Sequence, residues 1–234
     1  MALLELTDVT AGYGTTPILR DVSLSVERGE IVGVMGKNGV GKTTLVKTIM
    51  GLVEPTSGSI EFDGTDVTEL PANERATLGV GYIPQGRDVF PKLTVEQNIE
   101  MGETINDGEK ELLYDHVYEY FPILEERTDQ KAGTLSGGQQ QMLAIARALV
   151  ANPDILLLDE PSEGIQPSIV QQISEDMQTI NDELDVTVLF VEQNLGVIRE
   201  MADRCYAVER GEIVDELGPA QLADEEAIVE YLAV

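Results

Sequence analysis

The sequence predicts an α/β fold: a mainly parallel sheet, an antiparallel β part at its N-terminal end, and an α-helical lobe inserted into the core. Three observations predict it. Strand-like and helix-like segments alternate along most of the 234 residues, the pattern of a parallel sheet covered by helices. Ile155-Leu-Leu-Leu158 is short and wholly apolar, as suits a strand buried on both faces. Between Pro167 and Leu184, the residues Ile169, Val170, Ile173, Met177, Ile180 and Leu184 fall on one helical face, with Pro167 at the first turn.

The elements follow in chain order. Residues 3–10, 18–26 and 31–35 read as strands, punctuated by Gly12-Tyr-Gly14 and Glu27-Arg-Gly29-Glu30. A helix follows Gly41. Residues 58–62 and 80–83 read as further strands. From 95 to 124 the signals are helical, with Gly102 and Asn106-Asp-Gly108 breaking the run. A helix follows Gly137-Gly138, then come the strand at 155–158, the helix at 167–184 and a buried strand at 186–191. A helix at 195–202 and a hairpin around Arg210-Gly211 close the series. The chain reads as one domain, 1–234, with the helical lobe at about 86–133.

Composition narrows the function. No apolar run approaches the roughly 20 residues needed to span a bilayer. Met1-Ala-Leu-Leu-Glu5 has no basic segment before its few apolar residues, so a secretory signal is not expected and a cytosolic chain is. One cysteine, Cys205, and one histidine, His116, exclude an internal disulfide and a metal site built on those residue types. Lys and Arg number 15 against 43 Asp and Glu, a net charge of −28, which argues against a nucleic-acid partner. The acid recurs at 109–126, 175–185 and 224–230 rather than in one tail. Acidity spread in this way, with few lysines, fits a folded protein kept soluble in concentrated salt, and hence a halophilic source.

Two motifs carry phosphate chemistry. Gly36-Lys-Asn38-Gly39-Val-Gly41-Lys42-Thr43-Thr44 fits the phosphate-loop pattern Gly-x-x-x-x-Gly-Lys-[Ser/Thr], with an apolar strand running in and a helix running out. The glycines let backbone N–H groups close round phosphates, and the helix start adds partial positive charge. Lys42 can reach the β- and γ-phosphates and Thr43 can ligate Mg²⁺. Downstream, the apolar strand at 155–158 delivers Asp159 and Glu160 at its C-terminal end, where open α/β sheets bind ligands. Neighbouring side chains on a strand point to opposite sides, so the two carboxylates take different jobs. Asp159 suits the Mg²⁺ site, directly or through water. Glu160 suits the general base that polarises the attacking water.

A third motif, Leu135-Ser136-Gly137-Gly138-Gln139, opens a helix and forms a second anion site. It is similar to the signature sequence of ATP-binding-cassette (ABC) ATPases, and the resemblance to ABC transporter ATPases extends over essentially the whole chain. The resemblance implies a P-loop NTPase core in which two subunits pair head to tail, Ser136–Gln139 of one covering the ATP held by the other. It implies that Tyr13 stacks on adenine and that Gln85 joins the metal site to the helical lobe, which faces the membrane subunits. ATP and Mg²⁺ are the implied ligands.

Two positions depart from the family pattern. Gln193 stands where most members have a histidine on the γ-phosphate, and Gln166 where an aspartate crosses the dimer interface. A neutral amide at 193 can still donate a hydrogen bond. Val191-Glu-Gln-Asn194 and the Glu163-Gly pair resemble the importers of branched-chain amino acids and of urea and short amides, and Asn38-Gly-Val-Gly41, Pro84-Gln-Gly-Arg-Asp-Val-Phe-Pro91 and Glu163-Gly-Ile-Gln-Pro-Ser-Ile169 look closest to the urea-type branch. That subfamily implies two membrane permease subunits, a second ATPase subunit (a different chain, or a second copy), an extracytoplasmic solute-binding protein reached indirectly, and a place on the cytoplasmic face of the cell membrane. The alternative is a soluble cassette ATPase of translation or DNA repair. A single phosphate loop and the lack of sustained heptads count against it.

Overall fold

Long runs of alternating apolar residues near the N-terminus pair locally, as short-range antiparallel strands do. β1 (Ala2–Tyr13) and β2 (Thr16–Glu27) form a hairpin, and the chain then enters β3 (Ile31–Met35) and α1 (Lys42–Ile49). β4 (Pro55–Phe62), β5 (Thr65–Asp66), α2 (Ala72–Thr77) and β6 (Val80–Ile83) follow. The helical segment holds α3 (Val95–Glu103), α4 (Tyr114–Tyr120), α5 (Pro122–Glu125) and α6 (Gly137–Leu149). β7 (Ile155–Asp159), α7 (Pro167–Leu184), β8 (Thr187–Glu192) and α8 (Leu195–Met201) return the chain to the core. β9 (Arg204–Glu209), β10 (Glu212–Leu217) and α9 (Pro219–Leu222) end it. This computed structural model describes residues 2–106, 108 and 110–224. Asp107 and Glu109, and the acidic stretch from 225 to 230, lie outside the described residues.

Two sheets result. One is antiparallel, in the order β2-β1-β4-β5. The other runs β10-β9-β3-β8-β7-β6, parallel throughout except at β10. The central strands explain their unbroken apolar sequences, because both faces are covered. Val32, Val34, Ile155, Leu157, Leu189 and Val191 pack in the layer with α1 and the antiparallel sheet. Ile31, Met35, Leu156, Leu158, Val188 and Phe190 pack in the layer with α3, α6, α7 and α8. The expected stripe on α7 is real: Ile173, Met177 and Ile180 are buried, and Ile169, Val170 and Leu184 pack against the same core.

The structure corrects the reading of one helix and adds, among the described residues, β5, α2, α9 and a 3₁₀ turn at Ala132–Thr134. Gly102 does not break the helical run. It lies inside α3, where a Cβ would stand 2.0 Å from the Arg147 carbonyl oxygen and 2.6 Å from Val150 Cγ1, so α3 and α6 touch at a point only glycine allows. The break falls later, between Glu103 and Tyr114. β5, α2 and α9 have no apolar period to reveal them. In α2 the buried residue is Arg75, whose guanidinium donates to the carbonyls of Thr48 and Ile49 (2.9 and 2.7 Å), Thr68 and Leu70, closing the C-terminal end of α1.

Candidate nucleotide site

The C-terminal ends of β3, β7 and β8 lie side by side, with Met35 opposite Glu192 and Asp159 opposite Val191. From β3 the chain turns through the loop 36–41 into α1. Gly36 is required by crowding, since a Cβ there would meet the Val208 carbonyl oxygen at 2.6 Å and Val40 Cγ2 at 2.8 Å. Gly41 is required by conformation, at φ +114°, and it opens α1 with no side-chain cap. The first N–H groups of α1 are therefore left to an incoming anion. Asn38 and Gly39 are exposed on the loop, while Thr44 is buried inside α1.

Lys42 is buried; its ammonium donates to Gly36 O at 2.8 Å and Lys37 O at 3.1 Å, and it forms an ion pair with Glu160 Oε1 at 3.1 Å. The Thr43 hydroxyl donates to Asp159 Oδ1 at 3.0 Å. Asp159 is 2% exposed, and its second oxygen, Oδ2, is buried with no hydrogen-bond partner among the described residues. Burial pushes this carboxyl above the ordinary carboxylate range, the Thr43 bond opposes the rise, and the Glu160 charge adds to it. An orphaned carboxylate oxygen beside a hydroxyl is a hard-oxygen donor set, and it fits Mg²⁺.

The alternation expected for Asp159 and Glu160 ends at the strand. Asp159 faces the α1 layer, as its parity with Ile155 and Leu157 requires. Glu160 has left β7, at φ +50°, held by a bond from its N–H to Val191 O at 3.0 Å. That left-handed turn brings its carboxylate back to Lys42, so both acids meet the start of α1 instead of pointing apart. Gln85 Nε2 bonds Glu163 Oε2 at 3.1 Å and Glu160 Oε2 at 3.5 Å, so it joins the cluster through the glutamates. A cleft of about 920 Å³ runs from Thr43 and Asp159 past Gln85 to the exposed apolar side chains Phe90, Met101 and Ile105.

Other expected residues lie apart from this cluster. Tyr13 is 53% exposed at the tip of the β1–β2 hairpin, whose Ile18 and Leu19 side chains lie over Gly41. Ser136 and Gln139 form a reciprocal cap at the start of α6: Gln139 N–H donates to Ser136 Oγ at 3.3 Å, and Ser136 N–H donates to Gln139 Oε1 at 3.0 Å. Gly137 is half-buried and Gly138 is buried against Ile169. Gln193 is exposed just beyond β8. Motif reading gave no role to Arg87, Glu163 or Glu192. The Arg87 guanidinium donates to Glu163 O at 2.7 Å and lies beside Gly137. The sequence marks these three only by their place in the segments 84–91, 163–167 and 191–194.

The sequence profile of the family described as ABC transporter matches residues 19–163. The chain is 44% identical to the high-affinity branched-chain amino acid transport ATP-binding protein BraG of Pseudomonas aeruginosa, over 98% of this chain and 99% of that one. It is 38% identical to the probable branched-chain amino acid transport ATP-binding protein LivF of Archaeoglobus fulgidus, over 90% of each. Among solved structures, MJ1267, an ATP-binding cassette of an ABC transporter in its ADP conformation, is similar with a TM-score of 0.86. Identity there is 27%, over 99% of this chain and 98% of that one.

Proposed function

This chain belongs to the ABC transporter family as an ATP-binding subunit, and we propose that it hydrolyses ATP to drive uptake of branched-chain amino acids through separate membrane subunits. The observation that carries the hydrolysis reading is the meeting of Lys42, Thr43, Asp159 and Glu160 at one sheet edge. The solute reading rests on the similarity to BraG and LivF. A urea or short-amide solute is the second reading, favoured by the segment Pro84-Gln-Gly-Arg-Asp-Val-Phe-Pro91.

In this reading the loop 36–41 and the start of α1 hold the phosphates, with Lys42 as the charged contact and Asn38, Gly39 and Thr44 in the phosphate-binding segment. Tyr13 stacks on the base. Thr43 and Asp159 would hold Mg²⁺, with Gln85 as a further ligand. The ion would supply charge neutralisation on the transferring phosphoryl group. Glu160 takes a proton from water, and Gln193 donates a hydrogen bond to the phosphate. Ser136–Gln139 serve the nucleotide of a paired subunit, either a different chain or a second copy. The lobe 86–133, with the apolar outer end of the cleft at Phe90, Met101 and Ile105, receives the membrane subunits at the cytoplasmic face. A solute-binding protein outside the cell completes the system.

Glu160→Gln tests the reading. Losing the base costs about 10²–10⁴-fold in kcat, and nucleotide binding is retained. Steady-state phosphate release at the wild-type rate in this variant would refute the assignment. Transport of radiolabelled leucine or urea by vesicles carrying the whole assembly separates the two solutes.

A further inference from the structure

Glu192 is the last residue of β8 and is 3% exposed. By the alternation of β8 its side chain shares the parity of Val188 and Phe190, the layer opposite Asp159. Its carboxylate accepts three backbone N–H bonds. Ser162 N–H reaches Oε1 at 2.9 Å, and Gln193 and Asn194 N–H reach Oε2 at 2.9 and 3.1 Å. One oxygen therefore holds the loop that follows Glu160, and the other holds the loop that carries Gln193. The first loop has a further tie, Glu160 N–H to Val191 O. The second runs into α8 through Asn194, whose side chain accepts from Gly196 N–H at 3.0 Å.

We infer that Glu192 is a positioning residue for ATP hydrolysis, its buried carboxylate fixing the spacing between the Glu160 loop and the Gln193 loop. The inference rests on the hydrolysis reading above. Only a carboxylate offers two acceptor oxygens and no donor on a side chain of this length, and ionised acceptors hold N–H groups more tightly than neutral ones. A carboxamide keeps one acceptor and turns an NH₂ towards one of the two loops. Either the Ser162 donor or the Gln193–Asn194 pair then loses its partner, and the two loops separate. Neither loop carries phosphate-loop residues, so nucleotide capture at Lys42 and Thr43 stays as it was. Loss of spacing therefore falls on turnover and not on binding.

The test measures kcat and KM for ATP, with thermal unfolding, in the full chain. The variants are Glu192→Gln, Gln193→Ala, and the two combined. The expected result is a roughly tenfold or greater fall in kcat for Glu192→Gln, with KM held within about twofold and the unfolding midpoint lowered by several degrees but the chain still fully folded at the assay temperature. If Glu192 acts through Gln193, the double variant is no slower than the slower single one. Should the amide variant fail to fold, Glu192→Asp, which keeps both acceptors on a shorter arm, replaces it with the same expectation for kcat and KM. A wild-type kcat in the replaced chain overturns the role. So does a fall in kcat that tracks loss of folded protein and simply multiplies with Gln193→Ala. A wild-type chain with no turnover removes the hydrolysis reading itself, and that result is distinct from wild-type turnover beside an unaffected variant.

Discussion

Asp159 holds an ionisable oxygen in a buried place with no hydrogen-bond partner among the described residues, a cost that the proposed Mg²⁺ site would explain. Its carboxyl is shifted upward, chiefly by burial, so its charged form is less favourable in the folded chain than in the unfolded one. A raised carboxyl weakens the fold above its own titration range and stops doing so as the pH falls through that range. Asp159→Asn, which keeps an acceptor for Thr43, should therefore raise stability without Mg²⁺ at neutral pH by about 1 kcal/mol, roughly 2–4 °C. Calorimetry across pH checks this, and the gain should shrink on acidification. The same variant should lose Mg²⁺-dependent turnover. At this scale the sequence was most legible where chemistry is written in residue identity. Lys42, Thr43, Asp159 and Glu160 come together at one sheet edge, although the sequence reading had the two acids pointing apart. The left-handed backbone of Glu160 was not legible, because alternation along a strand says nothing of the residue that leaves it. Glu192 escaped because a charge at a strand end looks the same whether it meets solvent or three backbone donors.

The helices show where periodicity informs and where it misleads. The stripe on α7 gave its bounds correctly, since one whole face meets the core. α2 was invisible because it is a single short helix whose apolar side is only Ala72 and Ala76, its buried anchor being the arginine that ties down the end of α1. Gly102 looked like a breaker because glycine is a poor helix former. In fact it lets α3 lie against α6, and the tertiary contact overrides the local preference. Gly102→Ala puts a methyl into the Arg147 carbonyl and should destabilise the chain by about 2 kcal/mol, roughly 4–8 °C in midpoint. Differential scanning calorimetry measures it, and an unchanged midpoint would mean that α3 and α6 can slide apart freely.

For the whole molecule, the mainly parallel core with an antiparallel N-terminal part was legible because its central strands are apolar on both faces; the place of α1 between the two sheets was not, because it depends on tertiary packing. The net charge of −28 bears on association and not on fold. Two such subunits repel, and the screening length falls from about 8 Å at physiological ionic strength to about 3 Å at 1 M. Nucleotide-driven pairing of this chain should strengthen as salt is raised. Sedimentation of the Glu160→Gln variant with ATP reads this directly, and pairing that is strongest in dilute buffer would contradict it.

The Lys42 ammonium is shared between two carbonyls and the charge of the Glu160 carboxylate, 3.1 Å away. Any anion arriving at Lys42 meets that carboxylate as a competitor for one buried positive charge. Under the hydrolysis reading, a phosphate at Lys42 loosens Glu160, and Glu160 held at Lys42 weakens the grip on phosphate, so the occupancy of one contact sets the freedom of the other.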